Sequence, residues 1–171
     1  MENGAGANVQ DRNYESPLHL ASKAGIRDVV RILPDRDAKV NAANKRGETP
    51  LYQLLQVSRG DKLGVAQLLL LGRGADANRQ NDDHMTPLHF ASEHGSLEMA
   101  RLLLDHHDGA KINAASKRGD APMHQLFHGS NSWVLYLGNH LGVAQLLLER
   151  GANANTQDND HTTTLRLASN Y

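Results

Sequence analysis

The sequence predicts an all-α repeat protein, a solenoid in which pairs of short helices stack and are joined by β-hairpin loops. One observation is a short element that returns along the chain at intervals of roughly 33 to 42 residues. A second observation is that each copy is followed by a Leu-rich stretch with helical spacing and then by a turn of small residues that ends in Asn. The third observation is that aromatic residues make up only 4% of the chain, too few for the core of a large sheet.

The recurring element opens the first helix of each repeat. It reads SPLH at residues 16–19, TPLY at 49–52, TPLH at 86–89, APMH at 121–124 and, in decayed form, TTLR at 163–166. Ser or Thr before Pro caps a helix whose first position tolerates the missing N–H of proline. A turn with Gly25 or Gly95 leads to the second helix, and the Gly and Asn residues after it are expected to adopt the positive φ of a hairpin turn.

A longer duplication shows that the unit which multiplied was a pair of repeats. Residues 39–47 return almost unchanged as 111–119, and residues 63–70 return identically as 141–148. Aligned copies differ by extra residues between the two helices, around 58–62 in the second repeat and within 128–138 in the fourth. Because insertions in repeat proteins fall in loops, we predict loops there, and the longer one contains the only Trp, Trp133.

Four copies of the element in register, each followed by the Leu-rich stretch and the Asn turn, resemble the ankyrin repeat over nearly the whole chain. The resemblance implies one ankyrin domain over residues 1–171, with repeats at 16–48, 49–85, 86–120 and 121–162 and partial repeats at 2–15 and 163–171. It implies that His19, His89 and His124 tie each repeat to the next through loop backbone and the capping hydroxyl. Tyr52 and Arg166 depart from that pattern, and Ala121 lacks the hydroxyl.

The ends are expected to be open. Residues 2–15 align with 149–162, and the last copy of the element stops after one helix, so the chain is expected to be a fragment of a longer array or to have frayed ends. Further ankyrin repeats stacked at these ends are therefore one possible partner.

Several classes of function are disfavoured by the residues present. The net charge of −1 does not favour nucleic acid or an anionic membrane, and with no Cys there is no thiolate chemistry. No phosphate-binding loop, dinucleotide fingerprint or activated nucleophile is recognisable, so we expect no enzyme and no cofactor. His124 and His128 share a helix face but lack the rest of a metal motif. The Arg-Gly-Asp tripeptides at 59–61 and 118–120 are interpreted as loop residues.

The resemblance implies protein–protein binding, a scaffold role performed through hairpin tips and the exposed, concave side of the first helices. No signal peptide or membrane span is recognisable, so the chain is expected to be intracellular, cytoplasmic or nuclear. The alternative is an accessory segment of a larger enzyme or signalling protein whose catalytic domain lies elsewhere. The expected contact residues, including apolar groups beside the tips, are Arg12, Asn13, Lys23, Lys45, Arg46, Gln56, Val57, Asp82, Asp83, Met85, Glu93, His94, Lys117, Arg118, His128 and Trp133.

Overall fold

The computed structural model describes residues 6–56, 61–107, 109–128 and 133–169, with the side chains of 133–138 excepted. The chain divides into two compact units, Met1–Asp82 and Asp83–Tyr171. Apart from one isolated antiparallel bridge between Gln157 and Thr163, the regular structure in the described ranges is helical. The all-α repeat fold is therefore confirmed.

The first unit contains two pairs of short helices. Helix α1 spans Pro17–Ala24 and α2 spans Arg27–Ile32, followed by a 3₁₀ turn at Pro34–Arg36. Helix α3 spans Pro50–Leu55, and α4, at Lys62–Gln67, continues into a π-helical turn at Leu68–Gly72. Helix α1 packs along α3, so consecutive first helices lie side by side.

The second unit repeats this plan. Helices α5 (Pro87–Glu93) and α6 (Leu97–Asp105) form one pair, and α7 (Pro122–Gln125) and α8 (Trp133–Glu149) form the next. Helix α9 spans Thr164–Ala168 and packs on α7, which in turn packs on α5. No helix within the described ranges is both long and apolar enough to cross a bilayer.

The core consists of equivalent apolar positions on successive helices. Leu18, Leu51 and Leu88, the Leu of each SPLH-like element, have no solvent exposure. On the second helices Leu103 and Leu147 are likewise fully buried. Helices of six to nine residues are too short to be stable alone, so this shared burial is what holds each helix in place.

The buried histidines link each first helix to the hairpin that follows it. The Ser16 N–H donates to Nδ1 of His19 at 3.1 Å, so the ring proton lies on Nε2, which donates to the Glu48 carbonyl oxygen at 3.1 Å. His89 makes the same contacts with Thr86 and with the Asp120 carbonyl. Burial lowers the pKa of both His19 and His89, because the charged ring would lose its hydration.

Two expectations about local structure are wrong, one about the insertion in the fourth repeat and one about the Asn residues of the turns. In the fourth repeat, the insertion before the second helix was expected to be a loop. It is helical from Trp133, so the latter part of the insertion lengthens α8. A sequence of Leu, Val and aromatic residues without Pro from 133 onward is compatible with such an extension.

The Asn residues that end each turn also behave differently from expectation. Positive φ occurs at Gly74, Gly109 and Gly151, whereas the Asn residues have negative φ and use their side chains instead. The Asn41 side chain donates to the Gly74 carbonyl and accepts from the Asp76 N–H. Asn at this position therefore bridges neighbouring loops, a role that requires an amide, while positive φ falls on an earlier residue of the turn, which is Asp37 in the first repeat and glycine in the others.

Candidate protein-binding surface

The hairpin tips within each unit are joined by backbone hydrogen bonds. In the first unit the Lys45 N–H donates to the Asn13 carbonyl at 2.9 Å, and the Asp82 N–H donates to the Arg46 carbonyl at 2.9 Å. In the second unit the Lys117 N–H donates to Asp83, and the Asn159 N–H donates to Arg118, each at 2.9 Å. Neighbouring tips of one unit therefore form a continuous edge with fixed spacing.

Most of the residues expected to contact a partner are solvent-exposed. Gln56, Met85 and Glu93 are half-buried, while Val57 and the Trp133 side chain lie outside the described part of the structure. The exposed ones are Arg12, Asn13, Lys23, Lys45, Arg46, Asp82, Asp83, His94, Lys117, Arg118 and His128.

A buried carboxylate underlies the tip of the first unit. The Glu48 side chain is 4% exposed and accepts hydrogen bonds from Asn44 at 2.9 Å, Gln53 at 2.6 Å and Gln56 at 2.7 Å. The Nε atom of Arg46 lies 3.7 Å from the same carboxylate. Glu48 therefore connects a tip residue, Arg46, with Gln56 at the end of α3, both of which the sequence placed on the contact surface.

The second unit has the same arrangement in a different chemical form. Asp120, which is 3% exposed, lies 3.9 Å from Nε of Arg118 and 3.5 Å from Nε2 of His128. His128 occupies the position equivalent to Gln56, since 111–119 repeats 39–47 and both follow the hairpin by the same distance. The carboxylate again joins the tip arginine to the end of the first helix.

Sequence reasoning missed both carboxylates, because an acidic residue beside a hairpin tip ordinarily faces water. The signal that could have found them is the spacing. In both repeats the acid follows Arg-Gly, stands directly before the N-cap position of the first helix and is followed five residues later by Gln. The two pairs are Glu48 with Gln53 and Asp120 with Gln125.

Tyr14 is a further surface residue that the sequence did not single out. It adopts a φ of 62°, a conformation rare for a bulky side chain, and is 51% exposed. The Lys45 ammonium lies 5.2 Å from the centre of its ring, within the range of a cation–π contact. This side-chain contact of Tyr14 adds to the backbone bond between Asn13 and Lys45 that joins the first tip to the second.

The C-terminal end of α5 is in contact with α8. The His94 ring stacks on Phe90 with centroids 6.1 Å apart, and Nε2 of His140 on α8 donates to the Glu93 carbonyl at 3.0 Å. The His140 ring also lies where a Cβ at Gly95 would be placed. The end of this first helix is therefore fixed.

His124 and His128, the pair considered as a metal site, contact different groups. His124 uses Nε2 on the Thr162 carbonyl at 3.3 Å, whereas Nε2 of His128 faces Asp120. Among the described residues, no three His or acidic side chains are grouped so that they could hold a metal ion.

Comparison with known proteins agrees with this architecture. The family model described as ankyrin repeats (3 copies) matches residues 54–158, and the single ankyrin repeat model matches residues 13–45. The chain therefore belongs to the ankyrin repeat family, whose domains are generally non-catalytic modules for protein interaction.

Relatives among known proteins include members of the Notch group. The chain is 31% identical over 161 residues to neurogenic locus notch homolog protein 1 of Homo sapiens. It is 32% identical over 160 residues to the Cricetulus griseus protein of that name, and 32% identical over 157 residues to neurogenic locus notch homolog protein 2 of Homo sapiens. These matches cover 94%, 94% and 90% of the chain but only 6% of each relative.

Proposed function

We propose that this chain binds another protein through its hairpin tips and the adjoining ends of its first helices. The observation that carries the proposal is the pair of buried carboxylates. Glu48 and Asp120 each form an ion pair with an exposed tip arginine, at 3.7 and 3.9 Å, and each also contacts a residue at or after the end of a first helix. Side chains ordered before binding lose less entropy when a partner arrives, which favours their use in recognition.

The chemistry of this surface supports binding more than catalysis. Its side chains are cationic, acidic, amide and imidazole groups spread along an edge, and the histidines His19 and His89 form hydrogen bonds inside the fold. Arginine is among the residues that most often dominate the energy of protein interfaces. Apolar anchoring would come from exposed groups beside the tips, such as Tyr14.

The test compares variants of the contact surface with variants of the opposite side. In the tip variant Lys45, Arg46, Lys117 and Arg118 are all replaced by Ala. In the control, the exposed second-helix residues Glu98, Arg101 and Gln145 are replaced by Ala. We expect immobilised parent and control to retain the same proteins from an extract of the source cells, and the tip variant to lose them. Equal retention by all three proteins would contradict the proposal.

A second proposal concerns the context of the chain. Because the matched region is 6% of the length of the relatives, ankyrin repeats of this kind occur as small parts of much larger proteins. An accessory role within a larger enzyme or signalling protein is therefore the alternative. Sequencing the full transcript would test it, since a flanking catalytic domain supports the accessory role and a flanking polar capping repeat contradicts it.

A further inference from the structure

We propose that the Tyr14 cluster, defined as Tyr14, Lys45 and Arg46, recognises a protein segment in which acidic side chains flank an apolar or aromatic one. The proposal rests on the proposed function, in that it assigns a partner chemistry to one part of the tip surface. Each of the three residues supplies a separate element of that recognition.

Tyr14 supplies the apolar contact. Half of its surface is open to solvent, so the ring is available for contact with a partner. Its φ of 62° adds backbone strain, which glycine or asparagine at the same position would avoid. The same turn position has positive φ at Gly47, His84, Gly119 and His161, so the conformation belongs to the repeat, and the large ring is what distinguishes Tyr14. Stability alone does not explain a tyrosine here.

Lys45 and Arg46 supply the charge in fixed positions. The Lys45 ammonium is held over the Tyr14 ring, and its backbone N–H is bonded to Asn13. The Arg46 side chain is 71% exposed, and the buried Glu48 carboxylate lies on its Nε side. The terminal nitrogens of a guanidinium held in this way can form a paired contact with a carboxylate from outside.

The charges around the cluster favour an acidic partner. Arg12 adds a third exposed cation at the neighbouring tip, while the exposed acids Asp82 and Asp83 both lie at the next tip along the chain. The Asp11 carboxylate lies at the base of its turn, where Oδ1 accepts the backbone N–H groups of Asn13 and Glu15. An approaching acidic segment therefore meets three cations at the outer edge of this unit.

The second unit provides a natural contrast. Its tips carry Lys117 and Arg118 but also the exposed acids Asp83 and Asp160. Where the first unit has Tyr14, the corresponding turns of the second have His84 and His161, also at positive φ. An acidic segment is therefore expected to discriminate between the two units, and variants of the second serve as matched controls.

The experiment uses a displayed library of random 12-residue peptides, selected on the whole chain. We expect the retained peptides to be enriched in Asp and Glu next to an aromatic or large aliphatic residue. Their binding, measured by fluorescence anisotropy, should weaken by about tenfold or more in Arg46→Ala and in Tyr14→Gly. The same peptides should bind Arg118→Ala as tightly as they bind the parent. Tyr14→Phe should retain peptide binding, because phenylalanine keeps the ring.

Tyr14→Gly separates recognition from folding. Glycine relieves the positive-φ strain, so we expect a melting temperature equal to or above that of the parent together with the loss of peptide binding. Peptides that bind without acidic enrichment, or that depend on Arg118 in place of Arg46, would overturn this inference and leave the proposed function intact. A library that yields no peptide binding to any tip would contradict both.

Discussion

Gly47 shows how a single residue fixes the edge of tips. Its φ is +72°, and a Cβ at this position would lie 2.7 Å from Oδ1 and 2.9 Å from the backbone N of Asp82. Glycine is required here both by the backbone conformation and by the close approach of the next tip. Gly119 has the same role against Asn159 in the second unit.

Replacing Gly47 with Ala should therefore lower the free energy of unfolding more than replacing a glycine that has a positive φ but no close neighbour. Gly74 is the matched control, with a φ of +67° and no atom within 4 Å of the added Cβ. We expect Gly74→Ala to lose about 1 kcal/mol of stability from strain alone and Gly47→Ala to lose clearly more. Urea denaturation measures both, and equal losses would show that the approach of Asp82 has no energetic consequence.

The residue scale also marks the limit of what the sequence could predict. Glycine and proline positions were predictable because their backbone requirements are local. The burial of Glu48 was not, since it depends on amides from Asn44, Gln53 and Gln56 converging after folding. The positive φ of Tyr14 was predictable from its alignment with the turn glycines Gly47 and Gly119, whereas the contact of its ring with Lys45 was not.

At the scale of elements, the link between a first helix and the following hairpin is the recurring unit of the fold. His19 and His89 each accept at Nδ1 and donate from Nε2, which requires a neutral ring. The repeated SPLH-like element predicted these links through the family resemblance. The extension of α8 back to Trp133 was not predicted, because insertions in repeat proteins usually form loops and the residues at 133–140, apart from Leu, have only moderate or low helix propensity.

The neutral histidines make stability depend on pH. Burial lowers the pKa of His19 and His89 in the folded state below the 6.5 of the unfolded chain. As pH falls through 6.5 the unfolded chain binds protons first, so the free energy of unfolding decreases until the folded-state values are passed. We expect the urea midpoint to fall between pH 7.5 and pH 5.5, above the range where most carboxylates titrate. A constant midpoint would contradict the neutral-ring assignment.

The cap of α7 offers a stabilising change. Ala121 stands where the other two histidine links have Ser16 or Thr86, whose hydroxyls lie 2.9 Å from Nδ1 of the histidine. Ala121→Ser should restore this contact at His124 and raise stability by about 0.5–2 kcal/mol. The reciprocal variant, Ser16→Ala, should lose a similar amount. A decrease in the melting temperature of Ala121→Ser would mean that the site has no room for the hydroxyl.

At the scale of the whole molecule, the chain forms two compact units built from the same pair of repeats. In repeat proteins each repeat contacts only its neighbours, so damage to one core position should remain local at first. The internal duplication of 39–47 and 63–70 made this organisation predictable from sequence. The two pairs that it indicates, 16–85 and 86–162, meet within three residues of the division at Asp82.

Leu103→Ala tests this locality. Leu103 is fully buried in α6, and its truncation should cost about 2–5 kcal/mol, whereas Leu148→Ala in α8, at a 52% exposed residue, should cost far less. Amide hydrogen exchange should accelerate in 97–105 and its neighbours more than in 17–32. Uniform acceleration along the whole chain would show that the two units unfold as one.

The tips and the ends of the first helices, joined through Glu48 and Asp120, are the proposed contact surface, and a bound protein should change their amide environments. The most direct measurement is an amide chemical-shift map of the ¹⁵N-labelled chain with a protein retained in the capture experiment. We predict changes concentrated at 12–14, 45–46 and 117–118 and at Gln56 or His128, with 97–105 unchanged. Changes confined to the second helices, with the tips unaffected, would contradict the claim.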